Sequence, residues 1–381
     1  MLYAPSNILH VTDQPSAGVL AFLALATREL VEAGVQQTVL HGQRSDATPI
    51  ERYFHPQVRL VSMERPSGGS PFKPLDAFRA ALCHELSSQR CDAVHLHAPR
   101  AGWMGRAVLS GVGGHPPVYY SPHGLRHLNR ERPLTAAWAS MMERLAGLSA
   151  FRPVACSLGE ARELERLTHR TVAVLENPVD SAFFGVERLP DAQPRVITVG
   201  RACEQKGADV FAELAARFHF VGENVRFVWV GAGDARCEQE LKAAGVEVTG
   251  WLDADDVRAQ LARAHLYVQT SRWEGMSLSV LQAMAVGLPC LVTDVVGNRD
   301  AITHERTGLL AGDLSSLAVQ VKQLLEEGDR ARRLGDAARE EARQRFHATR
   351  FRRALLSLYR LEGELLPATP RAGGALDTAL P

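Results

Sequence analysis

Apolar residues along the chain fall in short runs separated by longer stretches of helix-like periodicity. Residues 7–12 (NILHVT) form the first run, and others follow at 37–41, 58–62, 93–97, 118–121 and 154–157. Runs this short, rich in Val, Leu and aromatic residues, read as buried strands. Between most of them apolar positions recur at helical spacing, as in 19–33, 75–88 and 135–148. A second series begins near Arg195, with strand-like runs at 196–199, 225–230, 246–249, 266–269 and 290–293. Strand and helix alternating at this rhythm predict α/β domains with parallel sheets covered on both faces.

The two series are separated by residues 176–180 (ENPVD) and a polar, Pro-containing stretch to Pro194. This predicts two doubly wound, Rossmann-like domains, residues 1–180 and 181–347. Such domains place ligand outside the carboxyl ends of their strands, in the cleft between them. Residues 366–381, rich in Pro, Ala and Gly, are expected to form a disordered tail.

Composition narrows the picture. A chain of 381 residues with 46% hydrophobic content can bury a large core. Its 43 basic and 43 acidic residues balance, which argues against a dedicated nucleic-acid binder. Six cysteines are scattered without CxxC or zinc spacing and fit reduced thiols. No basic stretch leads into an apolar one at residues 1–10, and no apolar run reaches membrane-span length. A cytoplasmic protein is expected. Lysine stands only at 73, 206, 242 and 322, so each is informative.

Candidate chemistry sits at the strand ends. Residues 199–207 (VGRACEQKG) follow the first strand of the second domain and lead into a helix. Arg201 can grip a pyrophosphate with two donors, and Lys206 adds a compact charge. Residues 272–287 (RWEGMSLSVLQAMAVG) place Glu274 and a glycine just ahead of an apolar helix starting near Ser277. The free N–H groups of such a first turn suit a phosphate. Residues 228–234 (VWVGAGD) and 250–252 (GWL) are turns after strands, with Trp251 either a packing residue or a base contact. In the first domain, residues 121–124 (SPHG) end a strand facing the cleft, and residues 16–19 (SAGV) lie in the loop after the first strand. His95 and His97 alternate on a strand. Without a carboxylate pattern nearby they read as structural or acceptor-facing rather than as a metal pair. Asp253-Ala254-Asp255 fits Asp-x-Asp by letter but reads as a helix start.

These segments resemble the retaining GT-B glycosyltransferases of family 4 (group 1), whose signature is read as Glu, seven residues, Glu. The resemblance implies a GT-B fold with a C-terminal helix, at 348–365, packing back toward the first domain. It assigns Glu274 to the donor sugar and its anomeric centre, and His123 to the sugar near the diphosphate. Arg201, Lys206, Gly18, Met276, Ser277 and Leu278 would hold the diphosphate. Gln282, Gly231, Gly233 and Trp251 would border the nucleoside. Gln282 replaces the second glutamate of the signature. Its amide keeps hydrogen bonding but gives up a charge-assisted, two-oxygen acceptor, so altered ribose binding is expected rather than lost chemistry. Asp300 stands where the family often has Glu and is expected to order a loop.

The activity implied is transfer of a hexose-type sugar from a UDP-sugar, or a GDP-sugar, with retention of configuration. No metal cofactor is expected, because basic groups and a helix terminus replace the cation. The acceptor implied is a saccharide or lipid-linked saccharide in lipopolysaccharide, capsule or exopolysaccharide synthesis. Residues 100–170 carry ten Arg against five Glu, compatible with peripheral contact at an anionic inner-membrane face or with an ordinary solvated surface. A sugar-nucleotide epimerase, a non-catalytic sugar-nucleotide-binding partner and a membrane scaffold stand as alternatives.

Overall fold

The computed structural model describes residues 7–13, 15, 17–42, 50–63, 73–129 and 131–360. The first half runs β1 (Asn7–Thr12), α1 (Ala17–Val31), β2 (Gln36–His41), β3 (Arg59–Ser62), α2 (Lys73–Ser88), β4 (Ala93–His97) and α3 (Pro99–Leu109). It continues through β5 (Val118–Ser121), α4 (Pro133–Ala146), β6 (Arg152–Ala155), α5 (Leu158–Thr168) and β7 (Ala173–Val174). The second half runs β8 (Arg195–Val199), α6 (Ala208–Phe220), β9 (Arg226–Val230), α7 (Ala235–Ala243), β10 (Glu247–Val248), α8 (Ala254–Ala262) and β11 (Leu266–Gln269). After these come α9 (Leu278–Val286), β12 (Cys290–Thr293), α10 (Val296–Ala301), β13 (Leu309–Ala311), α11 (Leu314–Glu326), α12 (Gly328–Arg345) and α13 (Ala348–Arg360).

Two parallel sheets result, ordered β3-β2-β1-β4-β5-β6-β7 and β10-β9-β8-β11-β12-β13. Strand order reverses between β1 and β4 in one sheet and between β8 and β11 in the other. Loops leaving adjacent strands at such a point diverge to opposite faces and open a crevice. The strands read as apolar runs because helices cover both faces, and every residue of β4 and β11 is buried. Each sheet has two cores. α1 and α13 cover one face of the first sheet through Phe22, Leu23, Phe351 and Leu355. Phe78, Leu82 and Leu164 cover the other.

The chain passes between the sheets twice, side by side. Val179 N–H donates to the carbonyl of Phe346 at 2.7 Å, and Val179 bridges His347. α13 returns the chain to the first sheet, where the hydroxyl of Tyr359 meets His95 Nδ1 at 2.7 Å.

Some sequence expectations shift. α1 begins at Ala17, so Gly18 is an exposed residue of its first turn, with open space around it, rather than part of a loop. Ser16 lies outside the described residues. β6 starts two residues earlier than its apolar run because Phe151 and Pro153 pack in the core beside it. Arg106, counted among surface arginines, is 1% exposed. It pairs with buried Glu143 at 2.8 Å and stacks on Tyr120 and Phe151, tying α3 to α4. Asp253 caps α8 by accepting from Asp256 N–H, the helix start read from the sequence. The tail at 366–381 and the last residues of the 348–365 helix lie outside the described residues.

Candidate active site

The loops leaving β8 and β11, at the reversal point of the second sheet, are knitted together. Gly207 has φ 65°, and a Cβ there would stand 2.0 Å from the carbonyl oxygen of Thr270. Only glycine fits that approach. Thr270 in turn donates its hydroxyl to the carbonyls of Lys206 and Gly207, and Arg272 N–H donates to Gln205. The result fixes Lys206 beside Glu274: Nζ lies 2.6 Å from Oε1. Ser271 donates its hydroxyl to the same oxygen at 2.7 Å. Glu274 is 5% exposed, so its charge depends on these two donors.

Immediately after Glu274 the chain enters α9. Ser277 is its N-cap residue, but its hydroxyl is bonded to Gln269 and Ser279 instead of to the first-turn N–H groups. Those donors stay unsatisfied by the side chain, and the helix dipole adds to their pull on an anion. Met276 is buried and its carbonyl accepts from Asn177 Nδ2 at 2.7 Å. Leu278 is half-buried against the core that lies under α1 and α13.

The end of β5 comes to the same place from the first domain. His123 (φ 53°) and Gly124 (φ 119°) turn the chain sharply. Gly275 packs on that turn so closely that a Cβ would stand 2.8 Å from Gly124 N and 2.8 Å from Cys156 Sγ. Gly297 packs on Gly275 in turn, 2.2 Å from its carbonyl oxygen by the same measure. Three glycines therefore let two domains meet backbone to backbone beside Glu274. Buried Glu160 anchors the contact by accepting from Gly124 N–H at 2.7 Å and from Cys156 N–H at 2.9 Å. Burial pushes its carboxyl up from the ordinary range despite these donors. Asp300 accepts from Gly159 N–H at 2.7 Å, so it ties α10 to the start of α5 across the domain contact, where the sequence suggested only the ordering of a loop.

The remaining residues expected from the sequence divide. Arg201 is exposed on the loop after β8. Gly231 and Gly233 brace that loop: Cβ atoms there would stand 2.2 Å and 2.1 Å from the carbonyl oxygens of Gly200 and Ala202. Trp251 is 45% exposed on the next strand end. Gln282 is half-buried one turn into α9. Gly18, in a helix and uncrowded, has no close approach that its small size serves.

His95 and His97 are fully buried and join His10 and His123 in one cluster on the first sheet. His10, His95 and His97 could hold a metal ion by spacing. In this structure all of their nitrogens but His10 Nε2 are engaged otherwise: His10 Nδ1 meets His97 Nε2 at 3.1 Å, and His97 Nδ1 meets His123 Nε2 at 3.0 Å. His95 is bonded to Tyr359 and Ser121. Burial drives His10 and His123 down to about 4 and holds His95 and His97 well below the ordinary value, so all four are neutral at pH 7.

Sequence reading passed over Glu160 and Asn177, whose partners are far away in the chain, and Arg272. Arg272 holds Asp209 with its two terminal nitrogens, at 2.8 and 2.7 Å, and its Nε reaches Glu131 of the first domain at 2.6 Å. Its position two residues before Glu274 was the available signal.

Two parallel-sheet domains, meeting where an acidic loop and an uncapped helix face the end of a first-domain strand, define the GT-B class of glycosyltransferases. A family model described as "Glycosyl transferases group 1" matches residues 193–327, and one described as "Glycosyltransferase Family 4" matches residues 17–183. The chain belongs to family 4, group 1, of the glycosyltransferases. It is 26% identical over 251 residues to the UDP-Gal:alpha-D-GlcNAc-diphosphoundecaprenol alpha-1,3-galactosyltransferase of Escherichia coli, covering 59% of this chain and 63% of that one. The chain thus spans somewhat under two thirds of that relative's length. Sucrose-phosphate synthase from Thermosynechococcus elongatus has a similar fold, with TM-score 0.81, 19% identity and coverage of 93% and 98%. So does Anabaena HepE in complex with UDP-glucose, with TM-score 0.72, 17% identity and coverage of 92% and 98%. Among the described residues no helix is long and apolar enough to cross a membrane.

Proposed function

We propose that this glycosyltransferase moves a hexosyl group from a nucleoside-diphosphate sugar, UDP-linked in preference to GDP-linked, to a saccharide or lipid-linked saccharide with retention of configuration. The observation that carries the reading is the pairing of Lys206 with Glu274 next to the uncapped start of α9. The diphosphate sits at the N–H groups of Ser277, Leu278 and Ser279, with Lys206 and Arg201 around it. Negative charge growing on the leaving phosphate meets these fixed donors, and Glu274 faces the positive charge growing at the anomeric carbon. The acceptor hydroxyl attacks from the face the phosphate leaves and passes its proton to a phosphate oxygen. Retention follows, with no separate general base and no metal ion. HepE binding UDP-glucose and the E. coli relative acting from UDP-Gal favour uridine.

The lipid-linked acceptor is supported by α4. Leu134, Trp138, Met141 and Leu145 recur on one helical face, with Leu148 just beyond, and are 48% to 87% exposed. The one carboxylate of α4, Glu143, is buried. Arg106 is internal, and Arg166 and Arg170 are bonded within the domain. The apolar stripe, with exposed Arg144 on the same helix, is therefore the stronger membrane feature. Arg132 pairs with Glu204, which brings the start of α4 to the cleft rim. An apolar face of this kind rests in the headgroup layer of an anionic leaflet.

The test is nucleotide release by the purified chain with a panel of UDP- and GDP-sugars and undecaprenyl-diphosphate-linked acceptors, with the anomeric configuration of the product read by NMR. A product with a retained α-linkage is expected. Binding of nucleotide without release across the panel would replace the reading with a non-catalytic sugar-nucleotide binder.

A further inference from the structure

His10, His97 and His123 form a hydrogen-bonded chain that begins deep in the first sheet and ends at the cleft. Register puts them there. His10 pairs with His95 across β1 and β4, His97 pairs with Ser121 across β4 and β5, and His123 follows two residues later. All therefore project from one face, under Phe22 of α1 and Phe351 and Tyr359 of α13.

A neutral imidazole has one N–H and one lone pair. His97 is bonded through both nitrogens, so it must donate on one side and accept on the other. The whole chain then points one way, and whatever fixes its buried end fixes its cleft end. At the buried end stands Gln37, 3% exposed, on β2. Its Nε2 donates to the carbonyl of Thr27 at 2.9 Å and leans on that of Val35 at 3.4 Å. That choice commits the amide: Nε2 belongs to the backbone carbonyls, and Oε1 is left on the other side. In the register of β1 and β2, Gln37 lies opposite Ile8 and His10 opposite Val39, so the two side chains share one face of the sheet. Gln37 Oε1 and His10 Nε2 are both buried there without a hydrogen-bond partner, and Gln37 favours the protonated form of His10. An amide oxygen only accepts. The proton of His10 therefore belongs on Nε2.

We infer that Gln37 is a positioning residue which, through His10 and His97, fixes His123 in the tautomer protonated on Nε2 with its Nδ1 lone pair free. His10 Nδ1 accepts from His97 Nε2–H, and His97 Nδ1 accepts from His123 Nε2–H. His123 Nδ1 has no partner among the described residues, and the residue as a whole is half-buried where β5 gives way to the Gly124 turn. What it offers the cleft is an acceptor. It recognises a hydroxyl that donates, as on a sugar, and it has no proton for a phosphate oxygen. The tautomer assignment rests on the hydrogen bonds between the three rings and on the place of Gln37 beside His10, whereas its use in sugar recognition rests on the function proposed above.

The experiment is long-range 1H–15N correlation on the full chain labelled at histidine, which identifies the protonated nitrogen of each ring. Expected are Nε2–H on His10, His97 and His123. A proton on Nδ1 of His123 overturns the inference, whatever the enzyme's activity. Gln37→Leu removes the acceptor while keeping the site's bulk, and the reversed tautomer should then appear at His123. Gln37→Glu, which restores an acceptor oxygen, should return His123 to Nδ1 unprotonated. With an accepted donor sugar, Gln37→Leu should lower kcat/KM by up to about tenfold, the worth of one hydrogen bond, at unchanged nucleotide affinity. Unchanged His123 tautomers in Gln37→Leu overturn the inference, and the wild-type spectrum alone decides if that variant fails to fold. Equimolar Zn2+ should leave the spectrum unmoved. Displacement of the His10, His95 and His97 signals together would instead make the cluster a metal site and overturn the chain of bonds.

Discussion

Lys206 Nζ and Glu274 Oε1 lie 2.6 Å apart, on loops leaving two strands adjacent at the point where the second sheet reverses its order. The pair is largely shielded from water, with side chains 21% and 7% exposed. Removing the cation leaves a buried carboxylate with Ser271 as its remaining donor. Lys206→Met should lower kcat by about 10² to 10³-fold, the scale of losing one preorganised charge-stabilising group. Glu274→Gln keeps shape and hydrogen bonding and should cost a similar factor. Circular dichroism and the thermal midpoint check that both remain folded. Wild-type turnover in either removes them from the site.

The glycine contact between domains makes a second prediction. Gly297→Ala places a methyl group 2.2 Å from the carbonyl oxygen of Gly275, which is backbone and cannot swing aside. The variant should be destabilised by about 1–3 kcal/mol and should lose activity by more than that destabilisation explains, because Glu274 moves with Gly275. Gly18→Ala, in open helical space, should be neutral or slightly stabilising. Urea unfolding and turnover, measured together, separate the two cases. Strong loss of activity in Gly18→Ala would support the diphosphate role that the sequence suggested.

The histidine cluster predicts an acid-labile fold. In the unfolded chain a histidine titrates near 6.5, whereas folded His10 and His123 titrate at about 4. Their folded values are depressed, so the unfolded chain binds more protons below about pH 6.5. Stability is complete above that pH and falls as pH drops toward 4, with a slope of up to about 1.4 kcal/mol per pH unit for each proton taken up. Carboxylates held low, such as Asp209 and Asp294, release their contributions at lower pH. Urea midpoints between pH 7 and 4.5 should therefore fall steeply, and His10→Gln should flatten the slope. A flat profile for the wild type would contradict neutral burial of the cluster.

The architecture was legible because parallel strands buried on both faces leave uninterrupted apolar runs, as in β4 and β11. β7 and β13, of two and three residues, carry too little pattern to read. At the site, Lys206 and Glu274 were legible separately, each beside a glycine ahead of a helix, but their pairing across 68 positions was not. Glu160 looked like one more helical glutamate, since nothing local marks its bonds to Gly124 and Cys156. His10 was invisible for the same reason: an alternating strand with a histidine looks alike whether or not its neighbours in the sheet carry histidines too. Gly231 and Gly233 stood out because the resemblance implies a nucleotide beside such a turn, yet what demands glycine there is the carbonyls of Gly200 and Ala202.

Membrane contact through α4 makes the last prediction. Leu134, Trp138, Met141 and Leu145 present an apolar face next to the cleft rim. Burying such a face in a headgroup layer contributes roughly 25 cal/mol for each Å2 of apolar surface covered, and exposed Arg144 adds a charge-dependent share. The chain should co-sediment with vesicles containing phosphatidylglycerol, and high salt should weaken the binding without abolishing it. Trp138→Ser with Leu145→Ser should reduce bound protein severalfold. Turnover with a short, water-soluble acceptor analogue should stay near wild type, because neither residue borders Glu274. Turnover with a polyprenyl-linked acceptor in vesicles should fall together with binding. Equal sedimentation of variant and wild type would show that this face meets something other than lipid.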